Sequence, residues 1–97
     1  MLEIPSMKSL PGYVSPYKRT AEFNEQTVPA ALLREHQTKA SVWGKIVVLE
    51  GKLQYTINQP HKEVFILDPS EAGIVEPTIR HEVQPLGKVR FYVEFYR

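Results

Sequence analysis

The chain contains no cysteine, so disulfide bonds, thiolate metal ligands and a cysteine nucleophile are all excluded. Long hydrophobic runs are also missing: the longest are a few residues, as at positions 46–49, whereas a transmembrane helix needs about 20. Residues 1–5 carry an acid and a proline instead of a basic region followed by an apolar core, so no signal peptide is expected. We therefore expect a soluble, cytoplasmic protein with no membrane partner.

A strong excess of charge of one sign is missing as well. The net charge is +1 over 97 residues, which argues against a dedicated nucleic-acid-binding protein. Hydrophobic residues make up 42% and charged residues 24%, as in ordinary globular proteins. The length suits one domain over residues 1–97 and leaves no room for a second. Glycine motifs for phosphates or dinucleotides and the serine nucleophile elbow are absent too.

Proline, by contrast, is frequent, with 8 residues spread along the chain. A proline in a helix interior costs about 3 kcal/mol, so long helices have few places to form. Residues 31–38, between Pro29 and the polar Thr38-Lys39, are interpreted as a strand in preference to one helical turn. Residues 1–29 are the least regular and are predicted to be an arm that wraps the domain or pairs with another subunit.

Strand patterns dominate the remainder. Residues 52–58 and 89–95 alternate between apolar and polar side chains, and 42–49 are more continuously apolar, as in a strand covered on both faces. Glu50-Gly51 is interpreted as a tight turn between two antiparallel strands. Residues 64–67 form a further short strand. About seven short strands with frequent turns predict an all-β sandwich or small barrel.

Three histidines are candidate site residues. His61 follows Pro60 in a polar loop and is predicted to be a solvated turn residue. His36 and His81 each lie beside a predicted strand, and His81 shares its strand face with the apolar Val83, so its ring is predicted to point inward. A buried imidazole is either hydrogen-bonded or metal-bound. Taken singly each histidine is interpreted as structural, but together they form a candidate metal-binding pair on separate strands.

Two imidazoles do not complete a catalytic metal site, which typically has at least three protein ligands; two histidines with one carboxylate is a known set for non-haem iron. The glutamates considered are Glu35, Glu50, Glu76, Glu82 and Glu94. Glu94 is the predicted third ligand, because it lies between Tyr92 and Tyr96 on one face of the last strand. The alternative is a surface carboxylate paired with Arg90.

Basic residues recur around the same segments. Lys39 and Lys45 are predicted to belong to an anion-binding mouth, since lysine is a natural partner of oxyanions. The alternative is that they lie on a solvated strand face.

Five segments together resemble a known family. They are VP at 28–29, HQTK at 36–39, VWGKIVVLEGKL at 42–53, VEPTIRHEV at 75–83 and FY at 95–96. In these the chain resembles the bacterial tellurite-resistance-related, cupin-like family, whose members occur alone or fused ahead of a methyltransferase domain. The resemblance covers nearly the whole chain, and residues 36–53 are its specific part.

The resemblance implies a cupin-like double-stranded β-helix, a jelly-roll barrel, with His36 and His81 at the places where cupins carry metal ligands. The chain also departs from the general cupin pattern. Thr38 replaces the second histidine of the first motif, Gly44 lies near the position of its glutamate, and Pro85 replaces the asparagine of the second motif. Two of the four expected ligands remain.

The sequence thus predicts a small metal- or ligand-binding protein related to tellurite or oxyanion resistance. Zinc, nickel or iron is expected between His36 and His81, because imidazole suits these ions better than calcium or magnesium. A homodimer is expected through edge strands, without a nucleic-acid partner. Two alternatives stay open: a metal-dependent cupin enzyme using His36, His81 and Glu94, and a structural or interaction domain in which both histidines are merely buried.

Overall fold

Six strands and one short helix make up the part of the chain described here, residues 8–34 and 36–97 of a computed structural model. The elements are β1 (Pro16–Arg19), β2 (Phe23–Asn24), a 3₁₀ helix (Ala30–Leu33), β3 (Trp43–Ile57), β4 (Glu63–Leu67), β5 (Gly73–Val75) and β6 (His81–Tyr96). The all-β class predicted from the sequence is confirmed. No helix in residues 8–34 or 36–97 is long and apolar enough to cross a membrane.

A long antiparallel ribbon of β3 and β6 organises the fold. Its register runs from Ile57 opposite His81 to Trp43 opposite Tyr96. β1 and β2 pair with β6, while β4 and β5 pair with β3, all antiparallel. The result is an open antiparallel sheet with β1 and β4 at the ends of its main path. The finer prediction of a cupin-like double-stranded β-helix stays a prediction.

The predicted turn at Glu50-Gly51 is wrong, because β3 continues through these residues as one strand. The register against β6 shifts there, so the pair forms a bulge instead of a hairpin turn. Gly51 has φ +82°, and a Cβ at this position would overlap the Lys88 carbonyl oxygen. The glycine is required by the bulge, which bends a strand, whereas the sequence signal alone suggested that the strand ends.

The predicted strand at residues 31–38 is also wrong. Residues 30–33, Ala-Ala-Leu-Leu, are strong helix formers and make the 3₁₀ helix, with the Leu32 amide donating to the Pro29 carbonyl over 3.0 Å. Leu32 packs against the core from this helix. Pro29 and the polar residues that follow therefore bracket a helical turn, and the chain reaches His36 just beyond it.

The core lies on one face of the β3–β6 ribbon. Leu53 and Tyr55 of β3 are fully buried, as are Val89 and Phe91 of β6, which agrees with the alternation read from the sequence. Part of the predicted N-terminal arm belongs to the sheet, since β1 and β2 lie within it and Phe23 of β2 packs on Phe91 with ring centroids 5.7 Å apart. The first seven residues of that arm lie outside the described residues.

Candidate ligand-binding cavity

An apolar cavity of about 240 Å³ lies on the inner face of the β3–β6 ribbon. Ile46 of β3 and Val83, Phe91 and Val93 of β6 line its walls, and the 3₁₀ helix contributes Leu32. These side chains face inward because alternate residues of a strand point to the same side of a sheet. The few polar side chains on the wall include both candidate histidines.

His36 and His81 are brought together by their backbones. The His36 amide donates to the His81 carbonyl over 2.7 Å, and the His81 amide donates to the His36 carbonyl over 2.8 Å. Residues that exchange both hydrogen bonds stand directly opposite each other, so their side chains share a face. The ring centroids are 5.5 Å apart and the ring planes meet at 76°. The predicted pair therefore exists as a pair of neighbours.

His81 is buried, with 4% of its surface exposed. Its Nδ1 lies 3.1 Å from the Ile79 carbonyl oxygen. A carbonyl can only accept, so Nδ1 carries the proton and Nε2 keeps a free lone pair. Burial lowers the pKa of His81; the bond to Ile79 opposes that shift, and neighbouring His36 adds to it. The site thus presents a neutral imidazole acceptor.

Thr38 is used for structure. Its hydroxyl donates to the Val42 carbonyl over 2.8 Å, which closes the loop that leads into β3. The Thr78 amide also donates to the Thr38 carbonyl over 3.2 Å and ties this loop to the segment before His81. Thr38 is buried and lines the cavity. It helps to fix the backbone that carries His36.

Glu94 is not brought to the histidine pair. It alternates along β6 with Val93 and Phe95, which line the cavity, so its carboxylate lies on the opposite face. There it accepts a hydrogen bond from the Tyr96 hydroxyl over 2.6 Å. The alternative pairing with Arg90 is not seen either, since Arg90 binds the carboxylates of Glu22 and Glu50.

Among residues 8–34 and 36–97, no group of three histidine, aspartate or glutamate side chains is placed to hold a metal ion. Of the remaining glutamates considered from the sequence, Glu35 lies outside the described residues. His61 is exposed in its loop, as predicted. The structure therefore places two of the three residues predicted as metal ligands side by side, and metal binding by them stays a prediction.

The two candidate anion-binding lysines are separated. Lys45 stands opposite Glu94 of β6 and Ile74 of β5, on the outer face of the sheet and away from the cavity. Lys39 is exposed and lines a shallow cleft that His36 also lines. Lys18 of β1 lies in the same cleft and was missed from the sequence. All four residues of β1 are exposed, so no alternation of polarity marked it as a strand.

Fold and cavity define a small antiparallel all-β domain with an internal apolar pocket. Residues 18–93 match the TehB-like domain family, and the chain belongs to this family. The predicted relationship to the tellurite-resistance methyltransferase family is thereby confirmed.

Similar proteins agree with this assignment. The chain is 32% identical over 75 residues to the probable S-adenosyl-L-methionine-dependent methyltransferase TehB of Haemophilus influenzae strain Rd, covering 73% of this chain and 26% of that protein. The TehB of strain 10810 gives the same identity and coverage. The chain thus spans about a quarter of the length of these relatives.

Two crystal structures share the fold. A protein of Escherichia coli K12, solved by a structural genomics consortium, has a TM-score of 0.82 at 20% identity and covers 94% of this chain and 97% of its own. TehB from Haemophilus influenzae has a TM-score of 0.80 at 28% identity over 88% of this chain and 32% of that chain. The fold therefore occurs both as nearly a whole chain and as part of a larger one.

Proposed function

We propose that the chain is a small-molecule-binding protein of the tellurite-resistance group, with the cavity beside His36 and His81 as its binding site. The observation that carries the proposal is the combination of an apolar cavity of about 240 Å³ with two adjacent imidazoles on its wall. Ligand sites are typically concave and mostly apolar, with a few polar groups that fix orientation. An apolar cavity of about 150 Å³ is large enough for benzene, so a somewhat larger molecule fits here.

The cavity wall supplies two kinds of interaction. Its aliphatic and aromatic side chains favour an apolar body, because they remove apolar surface from water. Nε2 of His81 accepts a hydrogen bond from a donor on the ligand, since Nδ1 is held by the Ile79 carbonyl. The backbone pairing keeps His36 beside His81, and the hydrogen bond to the Ile79 carbonyl orients the His81 ring before a ligand arrives, which reduces the entropy lost on binding.

Val93→Phe tests this proposal, because the larger side chain fills the cavity from β6. We expect methyl resonances of Val83 and Ile46 to shift when 1-hexanol is titrated into the wild type, and about a tenfold weaker response in Val93→Phe. Val64→Phe is the matched control, since Val64 lies on β4 with 46% of its surface exposed. Equal hexanol responses in the two variants, or no response in the wild type, would contradict the proposal.

A second candidate is metal binding by the same pair. Two imidazoles on one tetrahedral ion, with metal–nitrogen distances of about 2.0–2.1 Å, place their ring centroids about 5 Å apart. The observed separation is 5.5 Å, and the Nδ1 hydrogen bond of His81 leaves Nε2 free to coordinate. His36 and His81 would thus hold zinc, nickel or iron, and the ion would supply a Lewis-acid position for an anionic ligand. The carboxylate of Glu94 does not contribute, so the two-histidine, one-carboxylate enzyme has no support.

Metal binding is tested by mass spectrometry of tag-free protein after equilibration with Zn²⁺. We expect His81→Ala to lose any stoichiometric metal and His61→Ala to retain it, because His61 is exposed in the loop after β3 and does not line the cavity. Equal retention or equal loss in the two variants would rule out the pair as the metal site. A wild type without metal whose stability Zn²⁺ leaves unchanged would identify both histidines as structural.

A further inference from the structure

A shallow cleft lies on the outer side of the cavity wall, at the end of the loop that carries His36. Its volume is about 260 Å³, and its lining includes Tyr17 and Lys18 from β1 together with Gln37 and Lys39 from the loop. β1 is held here by its pairing with β6, in which Lys18 stands opposite Phe95. The cleft is thus built by the sheet and does not depend on the loop alone.

The cleft and the cavity are neighbours that share three residues. His36, Thr38 and Phe95 line both of them. His36 is only half-buried whereas His81 is buried, so the imidazole pair leads from the solvent side to the interior. A ligand beside His36 therefore contacts the apolar cavity on one side and the polar, open cleft on the other.

The cleft carries positive charge. Lys18 and Lys39 are both exposed, and none of the described residues that line the cleft is acidic. In residues 8–34 and 36–97 the ion pairs found involve Lys8 and Arg90, and neither Lys18 nor Lys39 takes part in them. Two unpaired amines beside the apolar cavity attract an anion, and the charged group of that anion stays hydrated in the open cleft.

A purely charged ligand suits neither the cavity nor the cleft. A bare oxyanion in the cavity would lose its hydration against apolar walls, which offer no hydrogen bonds to replace it. An anion in the cleft alone would meet only solvent-exposed amines, whose ion pairs are weak. A molecule with an apolar body and an anionic end satisfies both regions at once.

We propose that the site binds a small organic anion, with its apolar body in the cavity and its anionic head in the cleft between Lys18 and Lys39. This rests on the proposed function, because it takes the cavity as the binding site and adds the chemical class of the ligand. The head is a carboxylate, phosphonate or sulfonate, which share the oxyanion chemistry that amines recognise. His36 lies at the junction and positions the head relative to the body.

Isothermal titration calorimetry with three matched probes tests the proposal: hexanoate carries both parts, 1-hexanol only the body, and acetate only the head. We expect hexanoate to bind about tenfold more tightly than 1-hexanol at low salt, and acetate to show no saturable binding. In Lys18→Ala/Lys39→Ala, the affinity for hexanoate should fall to that for 1-hexanol, while the affinity for 1-hexanol should stay unchanged. Raising the salt concentration should weaken the binding of hexanoate and leave the binding of 1-hexanol unaffected.

Lys52→Ala/Lys62→Ala is the matched control, because it removes the same charge from two exposed lysines outside the cleft. It should keep the preference for hexanoate. Equal affinity of hexanoate and 1-hexanol in the wild type would overturn the assignment of an anionic ligand while leaving the cavity as a binding site. An equal loss in both double variants would also overturn it, since net charge alone would then explain the preference. Failure of all three probes would overturn this proposal and the proposed function together.

Discussion

At the scale of single residues, the proposed site depends on two neighbouring imidazoles, His36 and His81, on the wall of an apolar cavity. Strand alternation indicated an inward His81, and the position of His36 beside another predicted strand made the two a candidate pair. The pairing itself depends on two backbone hydrogen bonds between distant segments, which no local pattern encodes. Glu94 was predicted as the third ligand because Tyr92 and Tyr96 flank it on one face of the last strand, but that face lies away from the cavity and the Tyr96 hydroxyl binds its carboxylate.

The buried imidazole of His81 predicts a pH dependence of stability in the metal-free protein. Burial lowers its pKa below the ordinary value of about 6.5, so the folded chain binds this proton less readily than the unfolded chain. Stability should therefore be full above about pH 6.5 and fall as the pH drops toward the folded-state pKa, by at most about 1.4 kcal/mol per pH unit. Urea unfolding between pH 5.5 and 7.5 measures this slope.

Two variants separate His81 from other titrating groups. His81→Gln should flatten the slope in this range, whereas His61→Gln should keep the wild-type slope because His61 is exposed. The carboxylates whose pKa values are lowered, such as Glu25 and Asp68, lose their contribution at more acidic pH and do not interfere. A wild-type slope in His81→Gln would show that this imidazole does not control the transition.

At the scale of elements, the long β3–β6 ribbon shows what sequence periodicity can and cannot give. The alternating segments at 52–58 and 89–95 were found, because burial on one face leaves a period of two. That β3 runs through Glu50-Gly51 was missed, because an acidic residue followed by glycine is the same local signal in a turn and in a bulge. The strands β1 and β2 were missed because they carry no buried alternation and depend on β6 for their partners.

The bulge predicts that alanine substitutions at two glycines of the ribbon reduce stability by different amounts. Gly51 and Gly87 both have φ +82°, but an added Cβ meets the Lys88 backbone only at Gly51. Gly87→Ala should cost about 1–2 kcal/mol for its left-handed conformation alone. Gly51→Ala should cost about 3 kcal/mol or more, because overlap with the backbone is added. Chemical denaturation measures both, and equal losses would contradict a packing role for Gly51.

At the scale of the whole molecule, the class of the fold and the relationship to TehB were within reach of the sequence. Eight prolines excluded long helices, and apolar alternation indicated strands. The order of the strands could not be predicted from the sequence, because β3 pairs with β4, β5 and β6 at different points along its length. Such register depends on where the ribbon bends, and the bend is set by glycine conformation at the bulge.

The open sheet predicts self-association through β4. This strand ends the main path of the sheet, and Val64 and Ile66 on it are 46% and 45% exposed. An uncovered edge with apolar side chains favours pairing with another strand, and a second copy of the chain supplies one. We expect a dimer in sedimentation velocity experiments and a monomer for Ile66→Lys. Lys62→Ala near the same strand is the control, and a monomeric wild type would contradict the prediction.

The mutual hydrogen bonds of His36 and His81 act as a clasp, because this isolated bridge joins the loop to the start of β6. Even with the Thr78–Thr38 hydrogen bond beside it, this short bridge opens more readily than the β3–β6 ribbon, since local opening follows the number of interactions that must break. Each time it opens, the cavity wall beside His36 loosens and both amide protons become free to exchange with deuterium together. The exchange rate of these two amides thus reports how often this part of the wall opens.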